Sequence, residues 1–189
     1  MTNVLFPPEA KAALRDLIAA RSFARGDFTL ASGRKSNLYF NLKPTMMHPT
    51  GARLAAEGLL SLILPLKPDY IGGLEMGAVP LLAVVAAESD RLGSPVQSFF
   101  VRKKPKEHGA RQSVEGLAPG ETMAGMKIVM VEDVTTTGGS VLQAIAAAKE
   151  AGATVLAVIS VLDREEGARE MLESDSVSLH SLFTASDFA

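Results

Sequence analysis

Two adjacent carboxylates followed at once by hydroxyls and glycines form the stretch of this chain best suited to chemistry. Glu132 and Asp133 come directly after the apolar run Ile128, Val129, Met130 and Val131. Behind them stand Val134, Thr135, Thr136, Thr137, Gly138, Gly139 and Ser140, and then Val141 to Lys149, which has the composition of a helix. An unbroken apolar run of that length predicts a strand buried on both faces of a parallel sheet, with the acids at its C-terminal end. The first turn of a helix leaves backbone N–H groups unpaired and carries the positive end of the helix dipole, so a phosphate fits there. Glycines let the backbone approach closely, and the hydroxyls of Thr135, Thr136, Thr137 and Ser140 can donate to phosphate oxygens. Carboxylates would repel a phosphate. Glu132 and Asp133 are therefore expected to accept hydrogen bonds from sugar hydroxyls beside it, or to hold a metal. The ligand implied is a ribose with a 5-phosphate. Neither the Walker pattern nor the dinucleotide fingerprint is present in this run, and the competing explanation is an ordinary strand-to-helix turn capped by threonine.

Other segments must bring matching chemistry to that cleft. The turn Gly72, Gly73, Leu74, Glu75, Met76, Gly77 follows a strand-like piece and precedes an apolar helix over residues 81–87, and its backbone N–H groups could cradle a second phosphate. Residues 95–101 read as a strand leading into a basic loop. Residues 102–111 hold five Lys or Arg against one Glu, a local charge of +4 in a chain of net charge −2. A proline, glycines and the lack of apolar periodicity make residues 102–116 a surface loop; a solvated loop, a nucleic-acid patch and a lid over a polyanion all fit it. Residues 153–162 read as a further buried strand, ending in Asp163 and Arg164. An arginine at the C-terminal mouth of a parallel strand faces the same cleft, unless it only pairs with Glu165 or Glu166. Near the start, a helix over residues 9–20 precedes a hairpin within residues 26–41. Tyr39 and Phe40 are adjacent on its second strand, so one side chain is expected in the core and the other free to stack on a ligand. A helix over residues 50–64, and a short helix and strand over 168–173 and 176–182, complete the alternation. Strands alternating with helices predict an α/β fold, a mostly parallel sheet with helices on both faces, and the hairpin as a small hood.

Composition narrows the classes. At 189 residues the chain is long enough to bury about 70% of its unfolded surface as one domain. The absence of cysteine excludes disulfides, thiolate catalysis and cysteine-ligated metals, and the three histidines show no zinc spacing. A net charge of −2 speaks against a dedicated nucleic-acid partner. No apolar run reaches membrane-spanning length and no signal peptide is evident, so no membrane partner and a cytoplasmic location are expected.

In this order the motifs resemble those of the type I phosphoribosyltransferases, and among them the orotate enzymes. The resemblance runs from about Gly26 to Phe188. It rests on Phe-Thr-Leu-Ala-Ser-Gly-Arg-Lys-Ser at 28–36, Arg-Lys-Lys-Pro-Lys-Glu-His-Gly at 102–109 and Val-Glu-Asp-Val-Thr-Thr-Thr-Gly-Gly-Ser at 131–140. Leu-Asp-Arg-Glu-Glu-Gly at 162–167 and Leu-Phe-Thr-Ala-Ser-Asp-Phe at 182–188 add to it. The acid pair with its Thr/Gly turn is common to many phosphoribosyltransferases, whereas the basic loop is similar to the orotate enzymes in particular.

The resemblance implies the type I phosphoribosyltransferase fold in a single domain over residues 1–189. Residues 1–45 would form the N-terminal helix and hairpin hood, and residues 102–116 a mobile catalytic loop. It implies transfer of a phosphoribosyl group from 5-phosphoribosyl 1-diphosphate (PRPP) to N1 of orotate, a step of UMP biosynthesis. Glu132 and Asp133 would bind the ribose hydroxyls, Thr135, Thr136, Thr137, Gly138, Gly139 and Ser140 the 5-phosphate, and Val134 would also bind PRPP. Glu75, Met76 and Gly77 would form the pyrophosphate loop. Arg102, Lys103, Lys106 and His108 would bind PRPP, with Lys103, Lys106 and His108 catalytic. Thr136, Arg164, Tyr39 and Phe40 would contact orotate; an arginine suits its carboxylate because it donates two parallel charge-assisted bonds. Mg²⁺ would be the cofactor, bound mainly through PRPP without an assigned protein ligand. The partner would be a second copy in a homodimer, with loop 102–116 reaching into the neighbouring subunit's site. Two lysines of some family members are absent, at Ala31 and near Met76. Transfer to another base, and a non-catalytic PRPP-sensing regulator, are the competing functions.

Overall fold

The computed structural model describes residues 6–29, 35–104 and 113–189. Helix α1 (Pro8–Arg21) starts on a proline, whose missing N–H costs nothing in a first turn, and buries Leu14 and Ile18. Strands β1 (Phe23–Thr29) and β2 (Lys35–Phe40) pair antiparallel, with a register shift between Arg25 and Phe28; the hairpin's tip lies outside the described residues. Then come α2 (Lys43–Met46), α3 (Pro49–Ile63) and a 3₁₀ turn, Leu64–Leu66, in which Pro65 stands where α3 gives out. Strand β3 (Tyr70–Gly72) leads to α4 (Ala78–Arg91), longer at both ends than the predicted 81–87. After β4 (Gln97–Ser98), β5 (Phe100–Val101) and β6 (Val114–Glu115) come β7 (Lys127–Thr135) and α5 (Gly139–Glu150). Strand β8 (Thr154–Asp163), α6 (Ala168–Ser174), β9 (Ser178–Thr184) and a 3₁₀ turn, Ala185–Phe188, end the chain.

Among the described residues the main sheet has five strands in the order β4-β3-β7-β8-β9, and every neighbouring pair is parallel. Helices cover both faces, as the alternation of strands and helices requires. Successive side chains of β7 point to opposite sides: Val129 and Val131 join α1, α3 and α4 in one core, while Ile128 and Met130 join α5 and α6 in the other. Strand β8 repeats the pattern, with Ile159 and Val161 on the first face and Val158 on the second. The hairpin is a separate sheet. It is held by Phe23 and Phe40 packing on Phe188, at ring centroid distances of 5.8 and 5.5 Å, and by a bond from Arg25 Nη2 to the Phe188 carbonyl at 2.9 Å.

Three expectations need correction. Glu132 and Asp133 stand near the C-terminal end of β7 as expected, but Val134 and Thr135, expected in the loop, belong to the strand, because pairing with β8 runs on to Asp163. The strand expected over 95–101 is interrupted at Phe99, whose buried ring packs on Gly72, and only Gln97–Ser98 belongs to the main sheet. Beyond Phe99 the chain turns an edge to β6, so the C-terminal end of the basic segment is a strand; two residues are too few for a periodicity to show.

Candidate active site

The C-terminal ends of β3, β7 and β8 open on one side of the sheet, where three turns and the hood converge. A cleft of 330 Å³ lies between hood and sheet, lined by Tyr39, Phe40, Asn41, Leu42, Lys43, Asp133, Val134, Thr136 and Arg164. Next to it a cradle of 50 Å³ is lined by Glu132, Val134, Thr135, Thr136, Thr137, Gly138, Ser140 and Val141. The two share Val134 and Thr136, so one ligand can occupy both: a ring in the larger space, an anion in the smaller. The acid pair stands between, with Asp133 on the cleft and Glu132 on the cradle.

The cradle is the loop entering α5. Gly138 takes φ +87°, a left-handed conformation that disfavours side chains, and this turns the chain so that α5 starts facing the ligand space. Thr137, Gly139 and Ser140 are exposed there, while Thr135 is buried. The Thr135 hydroxyl meets Ser160 Oγ, the Leu162 carbonyl and Asp163 Oδ1, each at 3.4 Å, and so ties β7 to β8. Its side chain serves the sheet, leaving the backbone to serve the cradle.

Both acids are buried, and the turn after β3 lies against them. A Cβ added to Gly77 would stand 2.6 Å from Asp133 Oδ1 and 2.9 Å from Glu132 Oε1. Burial, together with the neighbouring Asp133 carboxyl, pushes Glu132 from its ordinary 4.5 up to about 9, with Lys103 pulling weakly the other way. Near neutral pH the ligand-free pair thus keeps a proton. Because the folded value lies above the unfolded one, the stability this proton brings is complete below about 4.5 and lost as pH rises through about 9. Thermal melts of the ligand-free protein should therefore fall between pH 6 and 9, and fall less for Glu132→Gln. Parallel curves for the two proteins would dismiss the shared proton.

In the hood, Phe40 is 7% exposed and Tyr39 42%, the division expected of adjacent strand residues. The Tyr39 ring packs on Phe28 at 5.2 Å. Arg164 begins the loop after β8, with a side chain only 8% exposed. Its Nη2 pairs with Glu166 at 2.8 Å, donates to Ser36 Oγ at 3.1 Å and to the Leu38 carbonyl at 3.3 Å, and its guanidinium lies 5.9 Å from the Phe40 ring. The ion pair and the cleft position, posed as alternatives for this arginine, coexist. Ser36 and Glu166 orient it; Glu166, two residues along the chain, was a partner the sequence offered, whereas nothing in the sequence marks Ser36 for that task.

The basic segment is described at its two ends. Arg102 pairs with Glu115 at 3.7 Å. The Lys103 N–H donates to Glu75 Oε1 at 2.8 Å, and its carbonyl accepts from Gln143 Nε2 at 3.1 Å. Lys106 and His108 lie outside the described residues, as does Ala31. In the turn after β3, Met76 is exposed and the Glu75–Met76 peptide is cis. Lys43, in the cleft wall, adds a cation close behind the Tyr-Phe pair.

Residues 47–185 match the family model of the phosphoribosyl transferase domain. The chain is 56% identical over 179 residues to the orotate phosphoribosyltransferase of Rhodopseudomonas palustris, covering 95% of this chain and 96% of that protein. Among solved structures, Mycobacterium tuberculosis orotate phosphoribosyltransferase in complex with Fe(III) dicitrate superposes with a TM-score of 0.82 at 30% identity, over 95% of this chain and 99% of the other. The same enzyme in complex with PRPP gives a TM-score of 0.78 at 29% identity, over 94% and 98%.

Proposed function

We propose, from the premise that this chain belongs to the orotate phosphoribosyltransferases within the phosphoribosyl transferase family, that the cleft between hood and sheet takes orotate while PRPP lies across the acid pair. The reaction transfers the phosphoribosyl group of PRPP to N1 of orotate, giving orotidine 5′-monophosphate and pyrophosphate. The observation that carries the assignment of parts is the continuity of the two spaces through Val134 and Thr136, with the carboxylates between them.

In this reading the 5-phosphate sits on the cradle, held by backbone N–H groups at the start of α5 and by the hydroxyls of Thr136, Thr137 and Ser140. Glu132 and Asp133 accept hydrogen bonds from the ribose hydroxyls, which gives their shared proton a reason to leave on binding. The turn of Glu75, Met76 and Gly77 receives pyrophosphate through its backbone. Orotate lies against Tyr39 and Phe40, with its carboxylate toward Arg164 and a contact to Thr136. As the bond to pyrophosphate breaks, negative charge gathers on the leaving group and the anomeric carbon becomes cationic, so cations aimed at the leaving group lower the barrier. Arg102 and Lys103 stand at the start of the segment that supplies them; Lys106 and His108 belong to the same segment and complete the set. Loop 102–116 acts on the neighbouring subunit's site in a homodimer.

Among the described residues no group of three or more His, Asp or Glu converges as a metal cage. The acid pair alone fits an ion carried mainly by the phosphates of the substrate, as Mg²⁺ commonly is. When bound it supplies charge neutralisation to the pyrophosphate. Among the described residues no helix is long and apolar enough to cross a membrane. A cytoplasmic location follows the biosynthetic role, and residues 1–189 act as one catalytic domain.

The test is loss of orotate's ultraviolet absorbance on mixing protein, PRPP and Mg²⁺, with uracil and hypoxanthine in parallel. Turnover of orotate alone is expected. Equal turnover of uracil would remove the carboxylate as the basis of selection, and no turnover with PRPP still bound would leave a binding protein.

A further inference from the structure

Lys103 is held in an unusual way for a residue at the edge of a basic surface segment: both its main-chain polar groups are taken by side chains. Its N–H donates to Glu75 Oε1 at 2.8 Å, and its carbonyl accepts from Gln143 Nε2 at 3.1 Å. The two side chains come from different places. Glu75 lies in the turn that ends at Gly77, against the acid pair, and its own N–H donates to the Val101 carbonyl at 2.9 Å. Gln143 lies on α5, one turn beyond the phosphate cradle. A carboxylate is poorly suited to touch pyrophosphate, and here it has another occupation.

From this geometry we infer that Glu75 and Gln143 are positioning residues, clamping the Lys103 main chain so that its ammonium is delivered to the leaving pyrophosphate. The inference rests on the reaction proposed above. The clamp joins the two turns that grip the substrate's two phosphate ends to Lys103, so this first, anchored part of loop 102–116 serves its own subunit's site, beside Glu132, while the rest of the loop reaches the neighbour's. A cation must sit in place before the charge develops if it is to stabilise that charge without reorganisation. Both bonds lie at the surface, so their loss should leave the fold standing.

The test measures kcat, both KM values and thermal stability for Gln143→Ala, Glu75→Ala, Glu75→Gln, Lys103→Ala and the double variant Lys103→Ala/Gln143→Ala. Gln143→Ala and Glu75→Ala should lower kcat about tenfold, within what a displacement of order 1 Å brings, with the orotate KM and melting temperature unchanged. Glu75→Gln keeps an acceptor oxygen and should restore most of the rate. In the Lys103→Ala background the loss of Gln143 should cost nothing more, because the group it positions is gone. Normal kcat in both alanine variants, or an undiminished fall from Gln143→Ala when Lys103 is already absent, would overturn the clamp. Full activity of Lys103→Ala would remove the role assigned to that lysine, and the clamp with it. An unaltered protein that turns over no orotate would instead sink the proposed reaction itself.

Discussion

Arg164→Ala is expected to raise the KM for orotate by about a hundredfold or more, while the KM for PRPP stays within about threefold. Two charge-assisted hydrogen bonds to a carboxylate are each worth about 1.5–3 kcal/mol, and every 1.4 kcal/mol is a factor of ten. The guanidinium is well placed to make them: its side chain is 8% exposed, and its bonds to Ser36, Leu38 and Glu166 all use Nη2, whereas a guanidinium carries five donors. Arg164→Lys keeps the charge without the fork and should recover only part of the loss. The alanine variant also removes a tether between hood and sheet, so a drop in melting temperature is expected beside the kinetic change. Steady-state kinetics with both substrates varied would decide: an unchanged orotate KM would take Arg164 out of the base site.

Gly77→Ala should lower kcat/KM for PRPP by about two orders of magnitude, the scale of loss that misplacing reacting groups brings. The added methyl carbon would stand 2.6 Å from one carboxylate oxygen and 2.9 Å from another, well inside van der Waals contact, so the acids must give way. They are buried side chains, and moving them disturbs the carboxylates that line the two spaces, Asp133 on the cleft and Glu132 on the cradle. Because the clash is with side-chain oxygens, the fold can absorb it, and the melting temperature should move far less than the activity does. A variant with normal PRPP kinetics would mean that the turn stands clear of the substrate's ribose.

Much of this architecture is legible in local sequence. The buried strand before the acid pair is an unbroken apolar run, and its neighbour β8 is another, so both could be placed to within a few residues. The extension of β7 past the acids to Val134 and Thr135 was not legible, since a threonine run before two glycines reads as loop and only the pairing with Leu162 and Asp163 on β8 keeps it extended. Strand β6 was hidden for a different reason: Val114 and Glu115 acquire their partners only when the chain returns to Phe100 and Val101.

The same division holds for the site. Residue types and close spacing alone determined the phosphate cradle, the acid pair and the excess of cations, because an anion at a helix start requires groups that are neighbours in the chain. Tertiary structure alone decided which of those groups face the ligand. It turned the Thr135 hydroxyl into the sheet, set Gly77 against the acids, gave Arg164 to Ser36 across 128 residues, and hung Lys103 between Glu75 and Gln143, which stand 28 and 40 residues away. Hydrogen bonds and steric contacts act over a few ångströms in space, and a linear sequence carries no distance between segments until the sheet has brought them together.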